Sequence, residues 1–376
     1  MLQRLHLAYG PQRRTFAMAV GSHTVRIWSQ QSRLFHLGED PTSCGYSLEM
    51  DTGHMGLIGL DFLDDDTLLC VHADGVLQVW SLNALDQPSE TRVERASTTM
   101  RAILSWELHI DALLDACDIA LVRGRLRVVL GGTLGEVYWV EILRNLPPIA
   151  VHIGQLERGV SLARLSPTAD RAATVCRDRT IAIWRPLEEL PIDEATGAWR
   201  TLDETGGEIL SLAFSESGRY LAGGGADHGV YLWDMRADKA LRAVSYDHEG
   251  RISDLAWSPE DRVLACASWD NTVGLFRGAD LSPLYCFEHH DEHVAQVMFA
   301  PNSNHLISAG HDRRIAVWDW RNAALVKEFS AHQDWVLALA WMGQGLFLSA
   351  AADRNLRIWS SATLSCEVIL GEGSEE

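Results

Sequence analysis

Two stretches of this chain bring together residue types that do chemistry. In "HDRRIAVWDWR", His311 and Asp312 are neighbours, and a carboxylate beside an imidazole can fix its tautomer and steady its charge during proton transfer. Arg313 follows directly and could hold an anion. In "EHHDEH", His289, Asp291 and His293 offer the nitrogen and oxygen donors that a divalent metal takes. A cluster that occurs once suggests a reaction centre, whereas one that recurs suggests scaffold.

The first cluster recurs. Written as D-x-x-h-x-h-W, with h apolar, "DRRIAVW" returns as "DGVLQVW" ending at Trp80, "DRTIAIW" at Trp184, "DHGVYLW" at Trp233 and "DRNLRIW" at Trp359. "DNTVGLF" ends in Phe276, and "SHTVRIW" at Trp28 and "TLGEVYW" at Trp139 lack the Asp. Eight copies, roughly forty to sixty residues apart, are the spacing of a β-propeller whose blades each hold four short strands. Each unit also reads as strand, turn, strand, Asp turn, strand. "VAQVMF" alternates as a half-buried strand does, and "APNSN" is rich in turn formers. No long amphipathic helix is legible.

On these motifs the chain resembles the WD-repeat β-propeller family over essentially its full length. The resemblance implies an all-β fold, a single domain over 1–376, with eight four-stranded blades; seven blades plus an irregular appendage is the alternative count. It also implies a structural tetrad in each blade, made of a His before the first strand, a Ser or Thr in the second, the turn Asp and the Trp. Two blades match in full: His290, Ser308, Asp312, Trp318, and His332, Ser349, Asp353, Trp359. A third has His248 but carries Cys266 where the hydroxyl belongs. Thr205 and Gly223 replace two members around Asp227, and Leu156 replaces the His before Asp178.

With the repeats assigned, little catalytic signal is left. "GGG" at Gly223–Gly225 lies in a strand, and "DDD" at Asp64–Asp66 lacks the Gly and distal Glu of a calcium loop. Neither a phosphate-binding loop nor a G-x-S-x-G elbow is present. The expectation is a protein that is not an enzyme and carries neither cofactor nor metal, the histidines of "EHHDEH" being surface residues.

Composition narrows the partners. The net charge is −19. Such a chain repels phosphate backbones and anionic bilayers, so neither nucleic acid nor membrane is expected as a partner. Only Lys239 and Lys327 among the 32 basic residues are lysines, an Arg-rich usage that fits a GC-rich bacterial genome. The seven cysteines form no C-x-x-C pair and mostly sit in apolar runs, as small buried hydrophobes in a reducing compartment do. With no apolar signal segment at the N-terminus, the expected location is cytoplasmic.

In a propeller of this family, the loops before the first strands and the Asp turns share one rim, the top. That places Arg177, Arg179, Arg251, Trp269, His293, His311, Arg313, Trp335 and Arg354 together as a partner-binding face. Trp269 and Trp335 are additional to the structural tryptophans and are expected to be exposed. Acidic residues such as Asp64–Asp66, Glu188 and Glu189 fall in bottom loops, so a locally basic top is suited to an acidic peptide or protein loop. Two insertions, 83–105 and 185–204 (the latter with Trp199), and an acidic tail, 371–376, complete the organisation. The expected function is a non-catalytic protein-interaction scaffold in a larger assembly. One alternative is a substrate receptor that docks on a cullin-ring ubiquitin-ligase adaptor through the W-D-x-R boxes at Arg236 and Arg321. Another is a sensor propeller of a bacterial multi-protein signalling or defence system.

Overall fold

The Asp turn decides the local structure of each repeat. Its carboxylate accepts the N–H two residues on, at 2.8 Å for Asp178 to Thr180, 3.1 Å for Asp312 to Arg314 and 2.9 Å for Asp353 to Asn355. That closes a tight hairpin whose next residue lies in the left-handed region. This residue is Gly75 and Gly135 in two repeats, but His228, Asn271, Arg179, Arg313 and Arg354 in the others. Gly adopts that conformation freely, whereas an arginine there costs about 1–2 kcal/mol.

A computed structural model describes residues 7–10, 15–20, 24–29, 48–54, 56–64, 66–84, 100–144, 146–185, 198–202, 205–237, 241–301, 303–330, 332–343, 345–361 and 363–370 of the chain. Among the described residues all regular structure is β. The strands form eight four-stranded antiparallel sheets, each built from four consecutive strands. Blade 1 opens with Leu7–Gly10 and blade 8 ends with Ser365–Leu370, so the count is eight. The inner strands of successive blades pack on one another from Leu57–Asp64 through Val336–Gly343.

Burial follows the radius. Second strands such as Val263–Ser268 are buried at every position, whereas fourth strands such as Ala324–Ser330 are mostly exposed. An outer strand needs only backbone pairing, so its sequence pattern is weak. That explains why the insertions come out shorter than the 83–105 and 185–204 read from sequence. Residues 83–84 close one strand, Val76–Ala84, and 100–105 open the next, Met100–His109. Arg200–Leu202 is the outer strand of blade 4 and pairs with Ile181–Ile183. The remainder, 85–99, 186–197 and 203–204, lies outside the described residues, as does the tail 371–376.

Side chains on the inner strands stitch neighbouring blades together. Asp118 accepts the Leu165 N–H (2.6 Å), Asp254 the Val297 N–H (3.2 Å), and the Gln296 side-chain oxygen the Leu339 N–H (2.6 Å). Burial pushes the Asp254 carboxyl up to about 6 despite the N–H groups that favour its ionised form.

The tetrads form as a directed relay. In blade 7, Trp318 Nε1–H donates to Ser308 Oγ (2.9 Å) and Ser308 sits 2.8 Å from His290 Nε2. His290 Nδ1 lies 2.8 Å from Asp312. Blade 8 repeats this with Trp359, Ser349, His332 and Asp353. The donor count assigns the protons: the indole gives to the hydroxyl, the hydroxyl to Nε2, and Nδ1–H to the carboxylate. Burial alone would raise the Asp353 carboxyl, but hydrogen bonds from His332 and the Gln333 and Asn355 N–H groups outweigh it and hold it down to about 2.

The other blades show what happens when a member is missing. Blade 6 keeps His248 Nδ1 against Asp270 at 2.8 Å, but Cys266 stands at the position of the hydroxyl and His248 Nε2 is buried without a partner. Blade 5 substitutes a tyrosine: Tyr231 donates to Asp227 (2.5 Å) and accepts from the Gly206 N–H (2.7 Å). There Gly223 is required, since a Cβ would stand 2.7 Å from the Trp233 ring. Blade 2 has a His–Asp contact that the sequence reading missed, His54 Nδ1 to Asp74 at 2.8 Å. His54 precedes its strand by three residues, not the four of His248, His290 and His332.

Asp312→Ala and Asp353→Ala are expected to lose about 1–3 kcal/mol each, because a buried imidazole loses its acceptor. Unchanged denaturant midpoints in both would contradict the relay. Cys266→Ser should gain about 1 kcal/mol by giving His248 Nε2 a hydroxyl donor; a lower melting temperature would show that the site cannot take one. Asp353 is depressed in the folded state, so its contribution is complete above the ordinary 3.8 and fades as pH falls toward about 2. Wild type should therefore lose stability over that window more steeply than Asp353→Asn, and equal slopes in acid titrations would count against this.

Candidate functional site

One backbone hydrogen bond per blade organises the top rim. The residue before the turn Asp (Thr133 in blade 3, which has no Asp) donates its N–H to the carbonyl of the residue just before the inner strand. The pairs are Ala73 with Gly56, Thr133 with Leu113, Arg177 with Gly159, Ala226 with Glu208, Trp269 with Arg251, His311 with His293 and Ala352 with Trp335, at 2.8–2.9 Å. Each blade from 2 to 8 therefore presents two side chains at a fixed separation, and their identity is free to vary.

In blades 6, 7 and 8 those positions hold large rings, which join across the blade boundaries. Arg251 lies over the Trp269 ring at 5.1 Å, and Trp269 stacks on His293 at 4.7 Å with 8° between planes. His293 meets His311 edge-on at 5.8 Å, and His311 stacks on Trp335 at 4.6 Å and 11°. His293 Nδ1 also bonds to the Trp269 carbonyl at 2.7 Å. Five of the nine residues assigned to the face from sequence thus form one continuous stack over three blades, with Trp335 at its open end, 43 % exposed.

The structure corrects four expectations for this face. His311 is buried and serves as the seat of Trp335, not as a contact. Trp269 is half-buried between Arg251 and His293, so its faces are already in use. Arg177 is tied to Asp115 at 2.5 Å, and Arg179 reaches the Gly206 carbonyl at 3.3 Å, both away from the stack. The top is not uniformly basic either, since Glu249, Asp291, Glu292 and Asp334 are exposed on the same rim. The acid is therefore not confined to the bottom loops, because these carboxylates are interleaved with the rim histidines. Arg313 and Arg354 stand on the turns of blades 7 and 8 in left-handed conformations.

Sequence also missed Leu113 and Leu134, 62 % and 72 % exposed at the top of blade 3. Nothing in a lone leucine distinguishes it from core until the rim position is known.

The histidines of "EHHDEH" diverge. His289 Nε2 pairs with Glu328 at 2.5 Å, Asp291 with Arg314 at 2.8 Å, and His293 points at Trp269. On the opposite face, Arg236 and Arg321 occupy like positions after the third strands of blades 5 and 7. The Arg321 guanidinium lies over Trp320 at 5.0 Å and 3.5 Å from Glu260, beside a pocket of about 300 Å³ lined also by Pro259 and Asn304. Of the cysteines, Cys70, Cys176 and Cys266 are buried as expected, whereas Cys286 and Cys366 are exposed on outer strands; Cys44 lies outside the described residues.

Eight four-stranded blades, each hinged on an Asp or related turn and two of them carrying the full His–Ser–Asp–Trp relay, give this chain the fold of a WD-repeat β-propeller. Family models agree: residues 255–344 match the anaphase-promoting complex subunit 4 WD40 domain and residues 199–234 match the WD domain, G-beta repeat. The protein HIR1 of Cryptococcus neoformans is 26 % identical over 227 residues, covering 54 % of this chain and 26 % of the relative. The cell division cycle 20.1 cofactor of the APC complex from Arabidopsis thaliana is 26 % identical over 218 residues, covering 54 % and 45 %. The chain thus spans less than half the length of these curated relatives. Sqt1 of Chaetomium thermophilum, solved bound to the N-terminus of ribosomal protein L10, superposes with a TM-score of 0.73 at 18 % identity over 95 % of this chain and 96 % of that one, a likeness of fold.

Proposed function

We propose that this protein is a non-catalytic scaffold that holds a protein partner on the top rim of blades 6, 7 and 8. The observation that supports this most is the Arg251–Trp269–His293–His311–Trp335 stack. Large rings at the rim positions do nothing for blade closure, because Gly56/Ala73 fills the same pair in blade 2. A preassembled, rigid aromatic surface binds with little loss of entropy, and Trp is among the commonest interface hot spots.

Two further observations favour a binding role over a reaction. The His–Asp pairs that resemble proton-transfer dyads tie the turn to the loop ahead of the inner strand in blades 2, 6, 7 and 8, and those of blades 7 and 8 are spent on full relays. Arginines also stand at left-handed turn positions 313 and 354, where glycine would be less strained, which fits side chains that serve by what they contact. The relatives agree in kind, being a cofactor of a large assembly and, in Sqt1, a protein solved with a peptide terminus.

Affinity capture from the native source with the tagged full chain tests this reading. Trp335→Ala should weaken retention of the captured partner by about 2 kcal/mol, the range of an interface hot spot, with an unchanged melting temperature. Normal retention by Trp335→Ala, with loss on changing Arg236 and Arg321 instead, would move the working face to the bottom.

A further inference from the structure

We propose that the open face of Trp335 is the seat for a cationic side chain, Arg or Lys, presented by a basic segment of the partner; this rests on the top-rim reading above. The chain itself shows the mode of contact. Trp269 has the imidazole of His293 on one side and the guanidinium of Arg251 on the other. Trp335 has the corresponding imidazole, His311, at 4.6 Å, but among the described residues no arginine or lysine lies over its ring. The stack is therefore complete at its Arg251 end and lacks its cation at the other, where the indole is 43 % exposed.

The surroundings of that ring suit a positive charge. Asp334 precedes it, is exposed, and accepts the Trp335 backbone N–H at 2.8 Å, which ties the carboxylate to the backbone from which the indole springs. The carboxylates of Glu292 and Asp334 act electrostatically on His311, the ring on which Trp335 stacks. The His311 imidazole is held below its ordinary value, first by burial and then by His293, so it stays neutral and sets no charge under the ring to repel a cation. Arg313 lies on the adjoining turn of blade 7, where it would meet the segment's carbonyls and so orient it. At longer range the net charge of −19 draws a basic segment and repels an acidic one.

The test is fluorescence anisotropy at low ionic strength on the full chain. The probes are short labelled Gly/Ser peptides carrying arginine, lysine, the neutral isostere citrulline, or glutamate. The arginine and lysine peptides should bind and the citrulline and glutamate peptides should not. Trp335→Ala and Asp334→Asn should each weaken the arginine peptide about tenfold, the size of a partly desolvated cation–π contact. Trp335→Phe should recover part of the loss, and all three variants should melt as wild type does. Equal binding of citrulline and arginine, no binding by the cationic peptides, or no effect of Trp335→Ala on them overturns the cation seat. Binding of the glutamate peptide that is lost in Trp335→Ala also overturns it, while leaving the top-rim reading intact. If the native partner is retained undiminished by Trp335→Ala, the top-rim reading itself falls.

Discussion

The turn aspartate is the contact on which the rest of this propeller depends, because its two oxygens do different work. One closes the hairpin by accepting an N–H two residues on, which makes the blade. The other reaches back to the loop ahead of the inner strand, as in His248, His290 and His332, which joins that loop to the blade. A carboxylate can hold both at once because it offers about four lone-pair directions and is partly shielded from water. The hydroxyl and the indole then extend the same chain inward to the core.

The repeats tolerate losses in this network unevenly, and the pattern has a physical basis. What matters is whether the loop ahead of the inner strand is tied, not which side chain ties it. Blade 5 uses Tyr231, and its indole N–H is left buried without a partner. Blade 4 dispenses with the histidine yet keeps Trp184 on Thr174 at 2.8 Å. In blade 6 Phe276 stands in for the tryptophan, so no indole N–H needs the hydroxyl and Cys266 is tolerated, at the cost of an unpartnered His248 Nε2. A polar network shortened at both ends costs less than one broken in the middle, because fewer buried groups are left over.

Tying each turn to its loop also creates the rim. The backbone bond between the residue before the turn and the residue at the strand entry recurs in blades 2 to 8, so the scaffold supplies display positions whose side chains the fold does not specify. Small residues at Gly56 and Ala73 and rings at His293 and His311 sit on the same backbone. Among the described residues, only in blades 6 to 8 do adjacent positions carry rings that stack across the blade boundary, which turns separate residues into one surface.

The sequence by itself determined the repeat, the blade count it favoured, two full relays and the list of rim residues. All of these depend on short, local spacings that the chain repeats: Asp to Trp six residues apart, and His four residues ahead of a strand. His54 escaped detection because its spacing is shorter by one, and the outer strands Met100–His109 and Arg200–Leu202 escaped because backbone pairing alone leaves little pattern. Only the tertiary structure decided what each rim residue does. Trp269 and Trp335 look alike in sequence, but the first is closed between Arg251 and His293 and the second is open. His311 looks like a contact and is a support. Stacking and exposure are set by residues from neighbouring blades meeting at a distance of a few ångströms, and no spacing along one strand of sequence encodes that meeting.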